Sequence, residues 1–257
     1  MIRLGRKRIK SPAAVIRGIN LYFRLLMGAG VLMGSMIATP ARGQLPVPCG
    51  GACAANGGPT VWVSSGKVQA PTVVGNTMNI IQQSDKAILN WASFNVDAGS
   101  SVNFSQPATS SVALNRIYQS DPSRIMGTLH ANGQVYLINQ NGIVFGKGAV
   151  VDVHGLVAST LDVSDQVFNS TGIAQAINQG QAAFVAKGPM GDINIEQGAV
   201  IDTPDGGQVM IFAPNIVNAG EINTPQGQAI LAASQDKVYL KVNSPSQPEL
   251  RGFLVEV

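Results

Sequence analysis

Charge is scarce in this chain. Only 12% of its 257 residues are Asp, Glu, Lys or Arg, against 45% hydrophobic. That balance excludes intrinsic disorder, which needs low hydrophobicity and high net charge. Eight of the 17 cations (Arg3, Arg6, Lys7, Arg8, Lys10, Arg17, Arg24 and Arg42) lie in residues 1–43, which hold no acid. Residues 44–257 therefore carry nine cations against all 14 acids, a net charge of −5, and the overall +3 belongs to the leading segment. An anionic body with three arginines (Arg116, Arg124 and Arg251) cannot neutralise a run of phosphates. Nucleic acid is excluded as a partner. Histidine is limited to His130 and His154, and neither stands beside a Cys or in a Gly-x-Ser-x-Gly setting for nucleophilic catalysis.

Long apolar runs are lacking as well. The uncharged stretch at residues 25–38 is shorter than the roughly 20 residues of a spanning helix, and it is rich in Gly. It follows a basic start and precedes the small residues Ala41 and Gly43, which is the order of an extended secretory signal. Residues 1–43 are expected to engage the Sec export machinery and to be cut by signal peptidase after Gly43 or Ala41. The alternative is an N-terminal membrane anchor. Export changes how the two cysteines read. Cys49 and Cys53 bound a Gly-Gly-Ala stretch in which an oxidising compartment favours a disulfide over free thiols, and a metal site would need two more ligands.

What is present is a succession of short β-favouring runs between Gly, Asn and Asp, such as Thr60-Val-Trp-Val63, Gln134-Val-Tyr-Leu-Ile138 and Gln208-Val-Met-Ile-Phe212. Helical periodicity is confined to residues 164–186, compatible with a short helix or two outside a sheet. Some of these runs repeat. Residues 133–141 lie over 207–215, 148–155 over 220–227, and 148–153 over 198–203. Gly133 to Gly155 is 22 residues and Gly207 to Gly227 is 20. Units of that size, built of short strands and turn residues, are what one coil of a parallel β-helix requires. Residues 44–257 also hold 17 Asn and 18 Gln, and Asn tolerates the left-handed backbone of tight corners. A β-sandwich is the structural alternative. Asp152 and Asp202 fall at matching places and read as turn aspartates rather than as a calcium site, which wants six or more oxygens. Gly146-Lys-Gly148 is a turn, not a phosphate loop. Trp62 and Trp91 read as core or end-capping residues.

Longer motifs carry a resemblance. Asn90-Trp-Ala-Ser-Phe-Asn-Val-Asp-Ala-Gly99 is followed by Gln106-Pro-Ala-Thr-Ser-Ser-Val-Ala-Leu-Asn-Arg-Ile117 and Asp121-Pro-Ser-Arg-Ile-Met-Gly127. Then come residues 131–146, ANGQVYLINQNGIVFG, and Gly155-Leu-Val-Ala-Ser-Thr-Leu-Asp162. In this order and spacing, residues 90–163 resemble the secretion domain of two-partner secretion exoproteins, the filamentous haemagglutinin type with its haemagglutination activity domain. The likeness extends over most of residues 44–257. Gln140 replaces the proline of the family's Asn-Pro-Asn-Gly-Ile element, which reads Asn139, Gln140, Asn141, Gly142, Ile143 here and loses a locked φ angle. The second family element, Asn-Pro-Asn-Leu, has only Gln106-Pro107-Ala108 in its neighbourhood.

The resemblance implies an all-β domain over residues 44–257, a right-handed parallel β-helix with capping strands and extra-helical hairpins. It implies secretion to the surface of a Gram-negative bacterium through the periplasm. There, the POTRA domains of an outer-membrane transporter receive the chain, which folds outside. Asn115, Arg116, Asn139, Gln140, Asn141, Gly142 and Ile143 are candidates for transporter recognition or for the coil corners. A host-cell receptor is a further expected partner of an adhesin. No cofactor, metal or catalysis is expected. The alternatives are a self-contained surface adhesin and a β-helix polysaccharide-active enzyme, though fold analogy supplies no catalytic site.

Overall fold

The computed structural model describes residues 43–173, 176–242 and 252–257, so the expected signal segment lies outside the described residues apart from Gly43. The described chain winds as a parallel β-helix with three faces. On face I the strand Thr77–Ile81 pairs in parallel with Ser101–Ser105. The stack continues through residues 128–131 and 150–153 to Val200–Asp202 and Glu221–Asn223. Face II stacks Lys86–Ser93, Val112–Ile117, residues 134–138 and 155–159, Gln208–Ala213 and Gln228–Ala233. Face III stacks Ser123–Ile125, Ile143–Phe145, Ile193–Ile195 and Ile216–Asn218, with Val96 bridged to Ile125 below them.

The register explains the repeats. Val150 pairs with Val200 and Asp152 with Asp202, the alignment expected for 148–153 over 198–203. Gln134, Gly155 and Gln208 lie in one row, so 133–141 and 207–215 occupy the same face two coils apart. The pairing of 148–155 with 220–227 slips by one residue at each end, since Val150 stands two coils below Glu221 and Gly155 two below Gln228. Coils advance by 22 residues from Thr128 to Val150 and by 21 from Val200 to Glu221. Between them, residues 160–192 leave the coil, which is why the repeat is interrupted there.

Face I strands alternate buried and exposed residues, as in Val150–Val153, because water covers one side. Inner face II strands such as Gln208–Ala213 are buried continuously rather than alternately because both sides are covered. Their inner side joins the solenoid core with Leu89, Trp91, Val135, Leu156 and Ile211. Their outer side, with Ile88, Leu114, Tyr136, Val157 and Met210, forms a second cluster beneath residues 160–192. That excursion contributes Val167, Phe168, Ile173 and Phe184. Among its described residues, Val167–Thr171 and Ala176–Gln179 form single helical turns. Phe184–Val185 pairs with Lys237–Val242, which pairs with Phe253–Glu256, all antiparallel.

The two ends of the solenoid differ. At the N-terminal end, Val47–Pro48 and Val63–Ser65 pair antiparallel with Lys86–Ser93, and Thr72–Val74 folds onto Thr77–Ile81. The first coil is thereby capped. Cys49 and Cys53 are joined in this cap, with Cα atoms 5.5 Å apart. At the other end, Ala229, Leu231 and Ala233 stand over the inward-facing Val209, Ile211 and Ala213. Leu231 is 40% exposed there.

Candidate functional site

One corner of the helix is a column of polar side chains and tight turns. A face II strand ends at Ile138 and Ile143 begins a face III strand, so residues 139–142 must turn the chain sharply. Asn139 is fully buried, and its amide is used on both sides. Nδ2 donates to Asp121 O at 3.2 Å and Ser123 Oγ at 2.9 Å in the coil below, and Oδ1 accepts from Asn141 N at 2.9 Å. Asn141 itself is exposed, but its Nδ2 donates to Gln119 O at 2.7 Å. Gly142 has φ +112°, in the left-handed region, and a Cβ there would stand 2.8 Å from Asp192 O. Both facts select glycine. Ile143 is a core residue. The same column is continued upward by Asp192, whose Oδ1 accepts from Asn215 Nδ2 at 2.9 Å.

Asn115 is not at a corner. It lies within Val112–Ile117, buried in the core row with Ala113 and Ile117. Its Oδ1 accepts from Trp91 Nε1 at 2.9 Å, and its Nδ2 donates to Ala113 O and Tyr136 O. A buried amide persists because its polar atoms are paired. Neighbouring Arg116 points the opposite way, since successive strand residues alternate. Its Nε donates to Asp162 Oδ1 at 3.0 Å, Nη1 pairs with Asp165, and Nη2 donates to Val163 O. Burial opposes the charge of the guanidinium, but Asp162 and Asp165 outweigh it and raise the pKa above its ordinary value. Lys187 also pairs with Asp162. Gln140 Nε2 donates to Pro189 O at 2.8 Å. Where the family pattern has proline, this side chain ties the corner to residues 187–189, which no proline does.

Arg116 and Gln140 thus hold the two ends of the excursion against the coils. Arg116→Ala is expected to destabilise the domain by about 2 kcal/mol, because Asp162 keeps its charge in a half-closed setting with only the exposed Lys187 to pair it, and Val163 O loses its donor. Asp165, 57% exposed, adds little. Denaturant unfolding measures the loss, and protease cutting within residues 160–192 should rise with it.

A feature not anticipated from the motifs runs along the outside of face I. Asn79, Asn103, His130, Asp152, Asp202 and Asn223 occupy one row. Asn103 Nδ2 donates to Asn79 Oδ1, His130 Nδ1 lies 3.0 Å from Asp152 Oδ2, and Asn223 Nδ2 donates to Asp202 Oδ1. Asp152 and Asp202 are therefore strand residues, not turn residues. Among the described residues, no group of three or more His, Cys, Asp or Glu is arranged to hold a metal ion. Unequal coil lengths hide this ladder, since its members are not evenly spaced in sequence.

Residues 60–251 match the model of the family described as the TPS secretion domain. A heme/hemopexin-binding protein of Haemophilus influenzae is 32% identical over 179 residues, covering 66% of this chain and 17% of that protein. A second protein of that name from the same species is 42% identical over 98 residues, 38% of this chain and 11% of its own length. The chain thus spans less than a fifth of the curated relatives it matches. Among solved structures, the crystal structure of the HMW1 secretion domain from Haemophilus influenzae superposes with a TM-score of 0.60 at 31% identity. It covers 69% of this chain and 45% of that one.

Proposed function

We propose, from the premise that this chain belongs to the TPS secretion domain family, that it directs an adhesin-type exoprotein to an outer-membrane transporter and then seeds β-helix folding outside. The observation that carries the reading is the asymmetry of the two ends. One end is closed by antiparallel strands, so coils do not add there. At the other, among the described residues, Gln228–Ala233 is paired on one side with Gln208–Ala213, and the inward-facing Leu231 is 40% exposed. An unfilled core row beside a parallel strand edge is a template: each added coil buries the row below and presents a new one.

The proposed sequence of events begins with the Sec export machinery and signal peptidase, which deliver a chain starting near Gln44 to the periplasm. POTRA domains of the transporter receive it, and strand addition suits this low-charge chain because it uses backbone groups more than side-chain charge. The chain crosses the outer membrane unfolded and the capped first coils fold at the surface, directing the remainder to a host-cell receptor. Cell fractionation with N-terminal sequencing tests this in a Gram-negative host with and without the cognate transporter. The expected result is transporter-dependent release of a chain beginning near Gln44. Equal release without the transporter, or an uncleaved Met1 chain held in the inner membrane, overturns it.

A further inference from the structure

We propose that the cavity between the Arg116 clamp and the Gln140 corner is a binding site for an uncharged, hydroxyl-rich ligand, a sugar residue of a glycan. The cavity has a volume of about 400 Å³, and Arg116, Tyr118, Gln140, Thr160, Asp162 and Lys187 all line it. That is within the range of small-molecule sites. This assignment does not rest on the transport reading.

Charge selects the ligand class. The Nε, Nη1 and Nη2 groups of Arg116 are all engaged by Asp162, Asp165 and Val163 O, and Lys187 sits on the second oxygen of Asp162. Two cations face two carboxylates, so neither a phosphate nor a metal ion finds an unmatched charge. What is left over is neutral hydrogen-bonding capacity. Thr160 also lines the cavity and its Oγ1 has no hydrogen-bond partner among the described residues, although the 1% exposure of the residue means that a ligand reaches this hydroxyl only after its side chain turns outward. Gln140 spends its amide nitrogen on Pro189 O, leaving Oε1 as an acceptor. The Tyr118 hydroxyl is a second donor and acceptor; burial, with Arg116 opposing and Asp162 and Asp165 reinforcing, raises its pKa and keeps it a neutral phenol.

The remaining wall is apolar. Ile117 and Ile138 also line the cavity, beside the Tyr118 ring. A pyranose offers the matching surface, with C–H groups on one face and hydroxyls around the rim that both donate and accept. Side chains already fixed by ion pairs lose little freedom on binding, which favours recognition of a weakly held group.

Saturation-transfer NMR on the mature chain tests the site with the methyl glycosides of mannose, galactose and N-acetylglucosamine. Inorganic phosphate and calcium chloride serve as charged probes. At least one glycoside is expected to bind with a Kd of about 1 mM. Tyr118→Phe, which removes only a hydroxyl, should weaken that binding roughly fivefold, the worth of one hydrogen bond. Lys187→Gln should weaken it as well, and Tyr118→Phe should leave the thermal midpoint of unfolding unchanged. Failure of all three glycosides to bind overturns the proposal. So does binding that neither substitution weakens, or displacement of the glycoside by phosphate.

Discussion

Asn139→Ala is expected to lower the stability of the domain by about 3 kcal/mol, because one buried amide serves three partners. Removing it strands Ser123 Oγ in the coil below and Asn141 N in its own turn, while Asp121 O loses one bond and keeps that from Gln119 Nε2 at 2.9 Å. An unmet buried group costs roughly 1–3 kcal/mol, and the side chain is too deeply buried for water to replace it. A change of that size moves a thermal midpoint by roughly 6–12 °C in a domain of this length. Calorimetry or circular dichroism reads it directly, and a fall of less than 1 kcal/mol would show that the corner relaxes to satisfy itself. The same substitution bears on transport. A partner meeting the folded domain does not reach Asn139, whereas Asn141 is exposed. If this element is recognised directly, Asn141→Ala should reduce transporter-dependent release more than its small effect on stability accounts for. If the element acts through folding alone, release should follow the midpoint, and Asn139→Ala should be the more damaging of the two.

The difference between these residues marks what was legible in the sequence. Coil length and the row containing Val150 and Val200 were readable because Gly-Ala-Val-Val-Asp and Gly-Ala-Val-Ile-Asp preserve both spacing and polarity. The excursion at residues 160–192 was readable only as helical periodicity over residues 164–186, outside a sheet. Its purpose, to cover the outer side of face II, depends on residues far apart in sequence such as Leu114 and Phe168. Asn115 was grouped with corner residues because Asn commonly turns a chain, yet it is paired inside the core. Its strand, Val-Ala-Leu-Asn-Arg-Ile, alternates correctly only if an Asn is allowed to point inward, and the partner that permits this is Trp91 in the coil below. Composition cannot announce such a pairing. Arg116 likewise stood out by its rarity, but its acids, Asp162 and Asp165, lie more than 40 residues away across the excursion.

Trp91→Ala should be the most destabilising of the substitutions considered, at about 4 kcal/mol. Trp91 is fully buried in the first face II strand and packs edge-on against Trp62 at 5.7 Å and Phe94 at 5.3 Å between ring centroids. It therefore joins three parts of the structure: Trp62 at the cap, its own coil, and the second coil through the bond from Nε1 to Asn115 Oδ1 at 2.9 Å. Truncation opens a large cavity and leaves the Asn115 carbonyl unpaired, two costs with separate origins. Trp91→Phe separates them. It retains most of the packing but not the indole donor, so a loss of about 1–2 kcal/mol isolates the hydrogen bond and its stranded acceptor. Equilibrium denaturation of the two variants measures the difference, and equal losses would mean that the ring packing contributes little. In a solenoid the consequence is not confined to the site. Each coil's stability depends on its neighbour, so weakening the junction between cap and first coil should also slow refolding of the coils above it.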